Sequence, residues 1–313
     1  MKRLAIIVLA VCAAAAPALA QKAAVKPPQQ QPNPDNGDIA FGAYQRGQFL
    51  TAFNEASTRA QAGDVKAMTL LGELYANGQG VGRDDAKALE WYKSAADRGD
   101  SSAMFALGTF ALDGRGSPRN RDEAMKWFAQ AAKLGNPNAA YNVGLANLGP
   151  QGDPKAAAEY LKIGAKAGLP DAQYALSVMY REGRGVEKNP QEAMKLLQQA
   201  ANAEYLDAMV EFAIAQFNGT NTKKDEPAGV LLLRKSALRG SAIAQNRLAY
   251  AYTIGRGIKA DPVQAVKWHL AAKAGGLGDP KLDEYAAEQT PEVRKQAEQG
   301  AKPWVEYYQR PRP

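Results

Sequence analysis

Thiol and imidazole groups are almost missing from this 313-residue chain, which has one cysteine, Cys12, and one histidine, His269. Disulfide frameworks, thiol catalysis and cysteine-based metal sites are therefore excluded. His269 has no second histidine or cysteine to share a metal ion. It follows Trp268 in a position that Tyr92 and Phe128 occupy elsewhere, so it reads as a packing residue. Charge of one sign is also never concentrated. The formal net charge is +7, but no block of five or six like charges occurs. A nucleic-acid partner is thus disfavoured, and the basic balance reads as a solvated surface. After the first 16 residues no apolar run approaches the length of a membrane span.

The two ends of the leader region are more eloquent. Lys2-Arg3 is followed by a short apolar run, Leu4 to Ala16, and by Ala18-Leu19-Ala20, a small-x-small cleavage pattern. Residues 1–20 read as a cleavable signal peptide with the mature start near Gln21, which implies export to the periplasm or beyond. Val11 precedes Cys12 where lipid attachment wants a small residue, and Cys12 lies inside the apolar run. Residues 21–37 are rich in proline and glutamine and read as an extended linker.

The rest is dominated by a phrase that returns every 36 residues. Ala67, Leu71-Gly72, Gly78-x-Gly80, Ala88, Trp91-Tyr92, Ala95-Ala96 and Gly99 reappear as Ala103, Leu107-Gly108, Gly114-x-Gly116, Ala124, Trp127-Phe128, Ala131-Ala132 and Gly135. A period in this range marks a stacked repeat array. Ala67, Leu71 and Tyr75 share one face of a first helix, A. Gly72 makes room for a returning helix, B, and the Gly-x-Gly pair turns the chain between them. Asp84 or Asp85 can cap helix B.

Further copies begin at Ala139, Ala172, Ala208 and Ala244. The third is three residues short, since only 33 separate Gly135 from Gly168. The fifth keeps Gly219 but replaces the second glycine with Asn221, and its polar stretch Thr220 to Pro227 is expected to project as a loop. Residues 38–63 read as a half-copy, 64–276 as the array, 277–308 as capping helices with Thr290 as an N-cap, and 309–313 as a tail.

The pattern A-x3-LG-x2-Y-x2-G-x-GV…A-x2-WY-x2-AA-x2-G closely resembles that of the Sel-one-like repeat family, a branch of the tetratricopeptide-like solenoids. The resemblance covers residues 37–276. It implies an all-α fold: a right-handed superhelical solenoid of antiparallel helix pairs, about six repeats plus capping helices. It also implies adaptor function. Related periplasmic solenoids restrain sensor kinases, which makes a sensor or assembly factor a fitting partner class.

Chemistry is hard to find. Gly78-Gln79-Gly80-Val81-Gly82 follows a helix rather than a strand, its third glycine is misplaced for dinucleotide binding, and it recurs as a turn in other units. No serine-hydrolase, zinc-protease or phosphate-loop pattern occurs. Asn218-Gly219-Thr220 reads as a turn. No catalytic, cofactor or metal residue is assigned, and the protein is not expected to be an enzyme.

The working surface is expected on helix A, which lines the concave face in such solenoids. The candidate partner-binding residues are Glu73, Phe105, Thr109, Leu112, Tyr141, Leu145, Tyr174, Val178, Arg181, Ile214, Phe217 and Tyr250. Their apolar and aromatic centre is suited to a helix or extended peptide of another envelope protein, bound by a monomer. The alternatives are a secreted effector that engages host proteins and an envelope hydrolase or small-ligand binder.

Overall fold

The computed structural model describes residues 39–310, so the signal-peptide and linker readings lie outside the described residues. Those described form helices throughout, with no strand among them. A short pair, α1 (Ile39–Gln45) and α2 (Phe49–Gln61), is broken at Gly47, as its position suggests. Six A/B pairs follow: α3 (Val65–Asn77) with α4 (Asp85–Ala96), α5 (Ser101–Asp113) with α6 (Arg121–Lys133), and α7 (Pro137–Asn147) with α8 (Pro154–Lys166). Then come α9 (Pro170–Glu182) with α10 (Pro190–Asn202), α11 (Leu206–Asn218) with α12 (Glu226–Leu238), and α13 (Ala242–Ile254) with α14 (Pro262–Ala274). The array closes with α15 (Pro280–Ala287) and α16 (Pro291–Gln309). Through α14 each helix packs on its predecessor, and α16 then packs on α14, as a solenoid requires.

Caps and small residues explain the regularity. Asp84, Asn120, Asp153, Asn189, Asp225 and Asp261 each cap a B helix by accepting a backbone N–H bond. Thr290 caps α16 through the Val293 N–H, with Pro291 at the first helical position. Alanines at the start of helix A and along helix B are buried almost completely and let the helices approach closely. Gly108 decides one such crossing, because a Cβ there would lie 2.5 Å from the Phe128 ring. The Gly72–Tyr92 crossing repeats this one unit earlier.

The Gly-x-Gly turn proves to be more than a turn. Its second glycine lies against the start of helix B in the preceding unit, and a Cβ at Gly257 would come 2.6 Å from the Glu226 carbonyl oxygen. The intervening residue staples the same two units. Arg115 donates to the Asp85 carboxylate at 2.5 Å and the Ala76 carbonyl at 2.6 Å, Arg184 to the Leu148 carbonyl at 2.6 Å, and Arg256 to Glu226 at 2.6 Å. Hydrogen bonds from Arg115 and Arg83 hold the Asp85 carboxyl down at about 2, below its ordinary 3.8. A depressed carboxylate stabilises the fold above its unfolded pKa and loses that contribution as pH falls through the folded value. The stability gap between wild type and Asp85→Asn is therefore expected to be full above about pH 4 and to vanish toward pH 2. It should not exceed about 1 kcal/mol for this partly exposed pair. Denaturant melts across that range would show it, and a gap that widens on acidification would refute the assignment.

Units three and five depart from the pattern differently. In unit three, α7 has 11 residues against 13 in α5, and its turn has lost the remaining residue. In unit five the expected projecting loop is not found. Residues 219–225 form a turn as long as residues 78–84 of unit one, because Asn221 adopts φ 55° in the second glycine's place. Asparagine tolerates this left-handed conformation better than other side-chain-bearing residues. Thr220 replaces the stapling arginine, and a cleft of about 260 Å³ opens there, lined by Arg181, Lys188, Met194, Leu197 and Asn221. Asn221→Gly is expected to raise stability by about 0.5–1 kcal/mol. A lowered denaturation midpoint in that variant would contradict this reading.

Candidate functional site

The twelve candidate residues all lie on A helices: Glu73 on α3, Phe105, Thr109 and Leu112 on α5, Tyr141 and Leu145 on α7, Tyr174, Val178 and Arg181 on α9, Ile214 and Phe217 on α11, and Tyr250 on α13. Each is half-buried or exposed, whereas the Leu71, Leu107 and Leu176 positions beside them are buried. The helical period thus sorts side chains into a packed stripe and an accessible one.

Three regions of this accessible face have different character. At its N-terminal end, Tyr44 of α1 donates to Glu73 at 2.6 Å and ties the half-copy to unit one. Burial, and then the bond to Glu73, push the Tyr44 hydroxyl well above the ordinary tyrosine range. Phe105 lies next along the face, its ring tilted against Phe128 at 5.5 Å, so it supports the core as well as facing the groove.

The middle is acidic and tyrosine-rich. Tyr174 donates to Glu211 at 2.7 Å, Arg181 reaches the other oxygen of Glu211 at 2.5 Å, and the Tyr174 and Tyr205 rings lie 5.1 Å apart. Burial, followed by the nearby Asp171 and Asp207 charges, pushes the Tyr205 hydroxyl up to about 12. Burial, and then the Glu211 charge, raise Asp207 above its ordinary value. Sequence reasoning identified Tyr174 and Arg181 but missed Tyr205, Asp207 and Glu211. Tyr205 carried a usable signal, because it occupies the N-cap position held by Asp64, Asp100, Asn136 and Ser241 in other units and makes no cap bond.

Toward the C-terminal end the face deepens into a cleft of about 290 Å³. Ile214, Phe217 and Tyr250, all expected from the sequence, converge there with Leu233, Ile254, Arg247 and Arg256. Arg256 stacks its guanidinium 4.6 Å from the Phe217 ring centre while paired with Glu226. Tyr250 is held by Asp279 at 3.0 Å, which orients its ring along the wall. Ile254 is 58% exposed. The cleft therefore combines an apolar floor with two guanidinium groups at its rim. Arg256 was overlooked because its Gly-x-Gly setting reads as structural.

His269 lies away from this face. It is 1% exposed and its Nε2 is 2.8 Å from Asp283 of α15, so it packs in the core and anchors the C-terminal cap. No group of three His, Cys, Asp or Glu side chains among the described residues is arranged to hold a metal ion. No helix among them is long and apolar enough to cross a membrane.

Against known proteins, the Sel1 repeat family matches six times in succession, at residues 65–100, 101–136, 137–169, 170–205, 206–241 and 242–277. A search among curated proteins finds no match. Among solved structures, a Sel1 repeat protein from Oxalobacter formigenes is 26% identical with a TM-score of 0.63, over 75% of this chain and 97% of that one. A protective antigen of uropathogenic Escherichia coli with an SLR fold is 25% identical with a TM-score of 0.61, over 86% of this chain and 68% of that one.

Proposed function

The chain belongs to the Sel1 repeat family, and we propose that it is an exported adaptor which holds a segment of another envelope protein against its helix-A face. Sel1 repeat solenoids are in general protein–protein interaction scaffolds, and this chain has their fold. The observation that carries the finer reading is the convergence of Ile214, Phe217 and Tyr250 with Arg247 and Arg256 in one cleft. Aromatic and arginine side chains in a partly desolvated depression are the usual anchors of an interface. Arg247 at the rim favours an occupant with a carboxylate beside an apolar side chain, while Arg256 stays paired with Glu226. The other candidates, Glu73, Phe105, Thr109, Leu112, Tyr141, Leu145, Tyr174, Val178 and Arg181, extend the contact along the face. Export is supported by the sequence of residues 1–20, and the description of one relative as a protective antigen is in keeping with it.

A photo-crosslinking amino acid placed at Phe217 in intact cells tests this reading. One discrete crosslinked protein is expected there, and none from the same group at Leu231, which is 68% exposed on α12. Arg247→Glu should abolish the crosslink while leaving the melting curve nearly unchanged, because Arg247 is exposed beside the cleft. Equal labelling from both positions would sink the proposal. Fractionation of the same cells tests export, since a chain that retains residues 1–20 in the cytoplasm would remove that part.

A further inference from the structure

Two A helices carry a glutamine where the other units have Met68, Met104, Ala140 and Met209. Both amides are locked in the same way. Gln245 Nε2 donates to the Ala237 carbonyl at 3.1 Å, and Gln173 Nε2 donates to the Ala165 carbonyl at 3.3 Å. Gln245 Oε1 lies near Gly240, since Tyr308 reaches both, and Gln173 stands at the equivalent position five residues after Gly168. Both side chains are buried, with 0% and 7% exposure.

Their oxygens fare differently. Tyr308, near the end of α16, donates to the Gly240 carbonyl at 2.6 Å and brings its hydroxyl within 3.5 Å of Gln245 Oε1. Gln173 Oε1 is buried with no hydrogen-bond partner among the described residues. The surroundings agree with this contrast. A Cβ built on Gly240 would meet the Tyr308 hydroxyl at 3.7 Å, whereas one on Gly168 would meet nothing within 4 Å. At the intervening turn a third solution operates, in which Arg239 donates to the Glu204 carbonyl at 2.7 Å. Ala203 stands in the place of Arg239 one unit earlier and has no group to donate. A buried acceptor without a donor is costly, and glutamine is not needed for packing where methionine serves in three other units.

We propose that the notch between Gly168 and Gln173 is a second docking site, and that it receives a tyrosine from a helix of a partner protein. Its hydroxyl donates its one proton to Gln173 Oε1, from a position that corresponds to that of Tyr308, whose hydroxyl donates to the Gly240 carbonyl and lies 3.5 Å from Gln245 Oε1. Residues 1–38 and 311–313 contain no tyrosine, so those segments do not supply it. Tyr308 itself is engaged at Gly240. This site is independent of the cleft around Phe217 and stands or falls separately from it. One local difference shapes the fit. Gly275 lies beside the Tyr308 ring, where an added Cβ would come within 3.0 Å of it, and its counterpart Ala203 carries that Cβ. The incoming ring therefore sits slightly further out than Tyr308.

The probe is a synthetic peptide with the sequence of residues 291–310, titrated against the full chain by fluorescence anisotropy. Saturable binding is expected, weakened about tenfold by Gln173→Met and by replacing tyrosine 308 of the peptide with phenylalanine. Ala203→Gly should strengthen it. Gln173→Met places in the notch a residue that other units already use, so it should fold and melt no lower than wild type. Gln245→Met should leave peptide affinity unchanged. Absence of saturable binding, an affinity indifferent to Gln173→Met, or sensitivity to Gln245→Met alone would each overturn the proposal. The last would show the peptide merely displacing α16.

Discussion

Gly185→Ala is expected to destabilise the protein by about 3 kcal/mol, the joint result of a side chain held at positive φ and forced overpacking. Gly185 has φ 71°, and a Cβ there would run into the Pro154 carbonyl at the start of α8. The obstacle is backbone, anchored by the capped helix behind it, so the collision cannot be relieved by a rotamer change. The turn must move instead, and Arg184 then loses its bond to the Leu148 carbonyl. Units three and four would separate at that seam. In a solenoid, where stability is a sum of units and neighbour contacts, this broadens or splits the melt. A fall in Tm of about 6–12 °C is expected. Gly82→Ala is the control, because its Cβ would meet nothing within 4 Å, and it should shift stability by less than about 0.5 kcal/mol. If the two variants melt alike, the close approach of turn and helix does not hold the array together.

Phe128→Ala should cost about 3–5 kcal/mol, because its ring fills the space that Gly108 leaves between α5 and α6. Phe128 is 2% exposed, and no neighbour can collapse into the gap without moving a helix. Phe105→Ala, whose half-buried ring touches Phe128 from the groove side, should cost only about 1–2 kcal/mol. The two losses should not add, because the rings share a contact. Chemical denaturation of the two single variants and the double variant measures all three. This comparison also bears on function, since a loss at Phe105 as large as that at Phe128 would make it a core residue and remove it from the groove.

Most of the fold was legible because the repeat writes the same physical solution six times. The leading alanine of helix A recurs in all six units, the Gly-x-Gly turn in four and the Leu-Gly pair in two, so each copy supports the reading of the others. Unit five shows where this reading fails. Asn221 looked like a broken turn, yet it adopts the glycine conformation at the same loop length, because a polar side chain can satisfy a left-handed backbone position. The groove was half legible. Ile214, Phe217 and Tyr250 followed from counting positions along helix A. Arg256 was hidden inside a turn motif, and Glu211 was hidden on the neighbouring helix that brings it to Tyr174.

The sequence by itself determined the helix pairs, their order and the stripe of each helix that faces inward, because these depend on contacts within a single unit. Only the tertiary structure decided which side chains meet across units. Arg115 on Asp85, Tyr174 on Glu211 and Tyr308 on the Gly240 carbonyl join residues 30, 37 and 68 positions apart. Those meetings depend on how successive units rotate and slide, a quantity that no single copy of the repeat records. The orphaned oxygen of Gln173 emerges for the same reason, since it differs from Gln245 only in what the rest of the chain brings to it.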